Sequence, residues 1–329
     1  MKILKFVLTA TWGLAAAAAS SLGGRATSPG ADKYFSPFLG GAVIDVQQEP
    51  PIVPTLPSPG GVGVTLGKPI EPQRPAIRTA SARWNVPWMQ VPRDVDLGDP
   101  KNRHVLAQWV GILGNACANA SWYPFLQAGT ATGMGEHGNA TAYAWVEWFP
   151  AGMHPIPPEN MTVVPGDQIR VAVDVYTRVT GHVSMQNLRT GQTYDIAMTA
   201  DSPSEPSFQI CLGHGTALFF QEWALFGDDH RYHHGPPVFE NVTFADISAV
   251  DHRGHCFDLG ADARDYWNMT VTADDGTAED EGVAVPHQID TKTFVIYSPT
   301  GKSWVPRQRY GPLPPAAGRG NSNNSSLGN

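Results

Sequence analysis

An all-β fold, specifically a two-sheet antiparallel β-sandwich, is what this sequence predicts, on three observations. From about residue 76 to 300, short runs rich in β-branched and aromatic residues recur, bounded by Gly, Pro, Asn or Asp. The run QIRVAVDVYT alternates between two faces from Ile169 to Val175, the period of a half-buried strand. No segment of useful length carries the i, i+3, i+4 apolar stripe of an amphipathic helix.

Taken in order, the chain opens with a secretory signal over residues 1–19. Lys2 and Lys5 supply its positive start, Phe6 to Ala18 its apolar stretch, and Ala17-Ala18-Ala19 a small-residue cleavage site. The apolar run is too short for a comfortable membrane span, and no other segment could cross a bilayer. Residues 20–35 are small and flexible or form a pro-segment. The sandwich domain is expected over 36–300. Residues 48–75 carry so many prolines that they are expected to be an exposed insertion, neither a central strand nor a helix. Further on, HVSMQNL and QTYDIAMTA flank a turn at Thr190-Gly191, and ALFFQEWALF, VTFADISAV and KTFVIYS supply later strands. Asp195 and Asp246 are expected to face outward from their strands. Residues 301–329 are expected to be a disordered tail.

Composition narrows the function. The 329 residues are 42% hydrophobic, enough for one large domain or two modest ones, and the net charge of −8 argues against nucleic acid and anionic membrane as partners. Sequons at Asn119, Asn139, Asn160, Asn241 and Asn268, with Asn323 and Asn324 in the tail, fit a secreted, extracellular glycoprotein. Three cysteines, Cys117, Cys211 and Cys256, cannot all pair within one chain. No cofactor is implied: phosphate loop, serine elbow and HExxH are all missing. His230 and His234, in DDHRYHH, have a spacing that converges on a metal only in a helix, and the following Gly235-Pro236-Pro237 indicates a loop, so no metal site is expected. Cys256 beside His255 lacks an oxyanion element.

The chemistry concentrates between Trp109 and Pro150, in QWVGILG, FLQAGTATG and YAWVEWFP. Two polar side chains, Gln127 and Glu147, lie there among Trp109, Trp145 and Trp148. A side-chain amide in an apolar strand needs partners or costs free energy. Gln127 is therefore either a satisfied core group or a donor kept for a ligand. Trp148 is expected in the core, whereas Trp109 and Trp145 could pack there or form a platform for sugar rings.

In order and rough spacing, QWVGILG, FLQAGT, YAWVEWFP, PGDQIRVAV and QNLRTGQTY resemble the fungal glutamic peptidases, the eqolisins. FLGGAV at 38–43, TASARWNVP at 79–87 and FENVTFADISAV at 239–250 are similar to other strands of that family. The resemblance implies a lectin-like jelly-roll sandwich and an acid-active endopeptidase using a glutamine and a glutamate. Gln127 matches the catalytic glutamine; Trp109, Trp145 and Glu147 match residues lining the site; and a Cys117–Cys211 bridge follows. A carboxylate with a pKa near ~4 can take a proton from attacking water in mild acid. A neutral amide can still stabilise the oxyanion there.

Two positions depart from the family. Leu113 stands where an aspartate is usual. In FQEWALFGDD, residues 220–229, Glu222 and Trp223 fit the family's strand, but Phe226 occupies the catalytic glutamate's place. Glu222 is four residues from that place, roughly 13 Å along a strand. A bulge at Gly227 would bring Asp228 onto it instead. Two functions are thus in play: a secreted peptidase acting on polypeptide, with Glu222 among its substrate-binding residues, or an inactive relative binding peptide or glycan.

Overall fold

The computed structural model describes residues 55–59, 61–67, 76–90, 103–116, 124–134, 140–226, 238–260, 264–272 and 278–297. The chain runs through β1 (Thr55–Pro59), β2 (Gly61–Leu66), β3 (Ile77–Asn85), β4 (Met89–Gln90), β5 (Arg103–Ala116) and β6 (Phe125–Met134). It continues with β7 (Ala140–Phe149), β8 (Met153–Pro155), β9 (Gln168–Val175), β10 (Thr180–Asn187), β11 (Thr193–Thr199) and β12 (Ile210–Phe226). The last strands are β13 (Val238–Phe239), β14 (Val242–Asp251), β15 (Cys256–Phe257), β16 (Arg264–Thr272), β17 (Ala278–Asp290) and β18 (Thr293–Tyr297).

These strands form a β-sandwich. The front sheet runs β16-β2-β12-β5-β6-β7-β8, and the back sheet runs β11-β10-β9-β3-β14-β18. Long β17 joins them, pairing with β16 through Ala278 to Ala284 and with β18 through Val285 to Asp290. Among the described residues all pairings are antiparallel except β1 with β16. Strand alternation builds the core. Val110, Ile112, Leu126, Val146 and Trp148 enter it from the front, Trp84, Val171, Val173, Met185 and Phe244 from the back. In β9 the predicted period holds: Ile169, Val171, Val173 and Val175 are buried while Arg170 and Asp174 are not.

Polar groups lock the layers. Trp84 Nε1 on β3 donates to Thr130 Oγ1 on β6 at 2.9 Å, a hydrogen bond between the sheets. Buried Asp167 accepts from Asn187 Nδ2 at 2.7 Å and from Arg189, which ties the PGDQ turn to the NLRTG turn. Gly191 takes φ +72° in the predicted turn, a conformation favouring glycine. Trp148 is a core residue as expected, 1% exposed, with Nε1 donating to the Phe208 carbonyl at 2.9 Å. Trp148→Ala should cost roughly 3–5 kcal/mol of stability, measurable by urea unfolding. Asp195 is exposed, and Asp246 faces outward onto Arg83 at 2.7 Å, at an irregularity of β14 where its φ is +56°.

The proline-rich segment differs from expectation. Within it, β2 is a central strand between β12 and β16, and Val62, Val64 and Leu66 are fully buried. The prolines fall on either side of the VGVTL run, so no ladder donor is lost in β2. Gly63 permits this close fit, since a Cβ there would meet the Phe219 carbonyl oxygen at 2.1 Å. Pro57 and Pro59 lie in β1, which pairs on one side only. The expected signal, pro-segment, FLGGAV strand and tail lie outside the described residues. So do Cys117, Asn119, Asn139, Asp228 and the histidines of DDHRYHH. Asn160 and Asn241 are exposed, Cys211 is disulfide-bonded, and Cys256 is free and exposed.

Candidate active site

Four adjacent strands of the front sheet, β12, β5, β6 and β7, turn one face to the core and the other away from it. Alternation decides which residues share the outer face. Register aligns Leu218, Gly111, Gln127, Glu147 and Met153 in one row, and Phe220, Trp109, Gly129, Trp145 and Pro155 in the next. The following row is Glu222, Ala107, Ala131 and Tyr143. Trp109, Trp145, Val105, Ala107 and Ala131 form a hydrophobic cluster on this face, separate from the main core. Tyr143, Met153, Leu218 and Phe220 pack against it.

Small residues make room for the large ones. Gly129 lies between the two tryptophans, and a Cβ there would meet Trp109 Cβ at 2.7 Å and the Gln108 carbonyl oxygen at 2.1 Å. Trp109 stacks on Phe220 with ring centroids 5.4 Å apart. Both tryptophans are nearly buried, at 7% and 1% exposure, so neither offers a free platform for a sugar ring.

Gln127 and Glu147 are a directly opposed cross-strand pair, and Gln127 Nε2 donates to Glu147 Oε2 at 2.6 Å. Gln127 Oε1 is buried and unpartnered, as are the indole nitrogens of Trp109 and Trp145. The question posed by Gln127 is thereby half resolved. One of its two amide N–H donors is taken by Glu147, and its oxygen is an acceptor with nothing to accept. Three unsatisfied polar atoms on one apolar face suit a polar ligand held by few contacts.

Burial pushes the Glu147 carboxyl up to about 7, against the lowering effect of the Gln127 hydrogen bond. Glu222 is also pushed up to about 7, first by burial and then by the charge of Glu147. The Trp109 indole opposes that second shift, from beyond ordinary hydrogen-bond range. Glu222 is thus brought into the electrostatic field of Glu147 and Trp109. Position 226 is carried farther along β12, its backbone paired with Arg103, and the strand is regular from Thr216 to Phe226. Tyr143 completes the group; burial raises its hydroxyl to about 12. Leu113 is buried in β5, opposite Phe125. Among the described residues no cluster of His, Cys, Asp and Glu is arranged to hold a metal ion.

A sequence model of the Peptidase A4 family matches residues 64–287. Scytalidopepsin B of Scytalidium lignicola is 28% identical over 128 residues, covering 36% of this chain and 45% of that protein. Aspergillopepsin-2 of Aspergillus niger is 34% identical over 85 residues, covering 26% of this chain and 28% of that protein. The chain therefore matches less than half the length of either relative. In fold it is similar to scytalido-glutamic peptidase solved with a peptide-based transition state analog, with a TM-score of 0.51 at 22% identity over 73% of this chain and 98% of that one.

Proposed function

Because the chain belongs to the Peptidase A4 family, we propose that it hydrolyses peptide bonds with Gln127 and Glu222 as its central pair. The observation that carries this reading is the unpartnered Gln127 Oε1 on a face that also holds Glu222. In this reading Glu222, ionised, takes a proton from the attacking water as its oxygen bonds to the carbonyl carbon. Gln127 positions that water and donates through its amide to the oxyanion, with no charge of its own to lose in acid. The two indole N–H groups offer donors to an extended polypeptide, and the apolar cluster around them excludes bulk water. That scytalido-glutamic peptidase binds a peptide-based analog favours polypeptide over glycan as the ligand class. Secretion and a Cys117–Cys211 bridge are part of the same proposal, in keeping with the start of the chain, the exposed sequons and a bonded Cys211.

The test is cleavage of an unfolded protein by purified material across pH 2 to 8, with Gln127→Ala in parallel. Removing one oxyanion donor should lower kcat by roughly 10²–10³. A native chain that cuts nothing anywhere in that range would refute the reading and leave a peptide-binding relative in its place.

A further inference from the structure

The departing amine must gain a proton, either the one that Glu222 has taken from the attacking water or one from a second acid. Glu147 stands ready for that task by position. It is directly opposite Gln127 in the register, 8% exposed, and among the described residues hydrogen-bonded through Oε2 alone, at 2.6 Å. Oε2 can serve as the carbonyl oxygen of a neutral carboxyl, accepting from Gln127, while Oε1 carries the proton. Among the described residues no basic group acts on Glu147. A carboxylate kept solely to orient Gln127 would be expected to have a cation or several donors, as Asp167 does with Asn187 and Arg189.

Resting on the peptidase reading above, we infer that Glu147 is a second catalytic residue, the general acid that protonates the leaving nitrogen. The balance is complete. Water's oxygen bonds to the carbonyl carbon, its proton goes to Glu222, and the carbonyl oxygen takes the negative charge. As the C=O bond re-forms, the C–N bond breaks and the Glu147 proton moves to nitrogen, releasing an acid and an amine. The proton on Glu222 then returns to Glu147 through the next water. Two carboxyls facing one site cannot both ionise easily, so a singly protonated pair is the natural resting form. Among the described residues the titratable groups facing Glu147 on this side of the sheet are Glu222 from β12 and Tyr143 from β7 itself, beside the neutral Gln127 of β6 and Trp109 of β5. Tyr143 holds its proton to about 12 and cannot set the alkaline limb.

The experiment compares a peptide substrate with a nitrophenyl ester of the same acyl group, whose leaving group needs no proton. Glu147→Gln keeps an oxygen for the Gln127 bond and removes the acid. It should lose roughly 100-fold or more on the peptide and stay within about threefold on the ester. Native protein supplies a second readout independent of the variant's folding: the alkaline fall in kcat/KM should appear with the peptide and be absent with the ester. Equal losses on both substrates, no loss on the peptide, or identical native profiles would overturn the assignment while leaving the peptidase reading intact. A native chain inactive on both substrates would overturn the two together.

Discussion

Glu222→Gln should abolish measurable peptide cleavage, lowering kcat by roughly 10²–10⁴ while the protein folds normally, because an amide cannot accept the water's proton. The sign of the pH dependence follows from the environment of the carboxyl. A base must be ionised, and Glu222 is raised to about 7 by burial and by the Glu147 charge. The rising limb of kcat/KM should therefore lie above the ordinary carboxylate range near ~4, in weakly acid to neutral solution. The resemblance to an acid-active family leads one to expect activity at lower pH. A profile of kcat/KM against pH, with substrate well below KM, separates the two. A rising limb centred near pH 3 would exclude Glu222 as the base in the environment described. Activity surviving in Glu222→Gln would direct attention to another carboxylate.

How far the sequence could carry this conclusion depends on which regularity each feature obeys. The two-sheet fold was legible because strand periodicity is local: β9, β10 and β11 follow directly from alternation in QIRVAVDVYT, HVSMQN and TYDIAMT. Gln127, Glu147, Trp109 and Trp145 were legible as polar and aromatic residues in apolar runs that match the family's motifs, and the structure sets them on one face. What escaped was whatever depends on how distant strands meet. Central strand β2 was hidden by its prolines, although Val62, Val64 and Leu66 alternate cleanly between them. The role proposed for Glu222 is likewise not decided by its distance along β12 to Phe226, the place taken from the family's motif. The relevant question was which β12 residue meets the Trp109 face, and that is fixed by register against β5, where Glu222 lies opposite Ala107. The raised carboxyl pKa values were also beyond the sequence, since burial comes from packing of all four strands.

The same two carboxyls make stability depend on pH in the direction opposite to ordinary acid denaturation. Burial gives Glu147 and Glu222 a higher proton affinity in the folded chain than in the unfolded one. Between their unfolded and folded pKa values, from about 4.5 to about 7, the folded state binds more protons. The slope of unfolding free energy with pH is then negative. Their contribution is fully present below about 4.5 and is lost as pH rises through about 7. For Glu147 alone the effect is on the order of 3 kcal/mol, a large fraction of a typical 5–15 kcal/mol total. Partly buried Asp174 and Glu240, also raised, act in the same sense, while His287, lowered by burial, acts against them. Asp251, lowered by the bonds from Arg253 and His255, exerts its pull only at more acid pH, below about 4. The melting temperature should accordingly fall by roughly 5–10 °C from pH 4.5 to 7.5. In Glu147→Gln and Glu222→Gln the decline should be shallower, because a neutral amide has no charge to bury. A melting temperature that rises across this interval, or variants that track the native curve, would mean that the two carboxyls ionise without penalty. The front-sheet face would then be wet enough in solution to solvate them, and the base and acid assigned to it would need ordinary carboxylate pKa values.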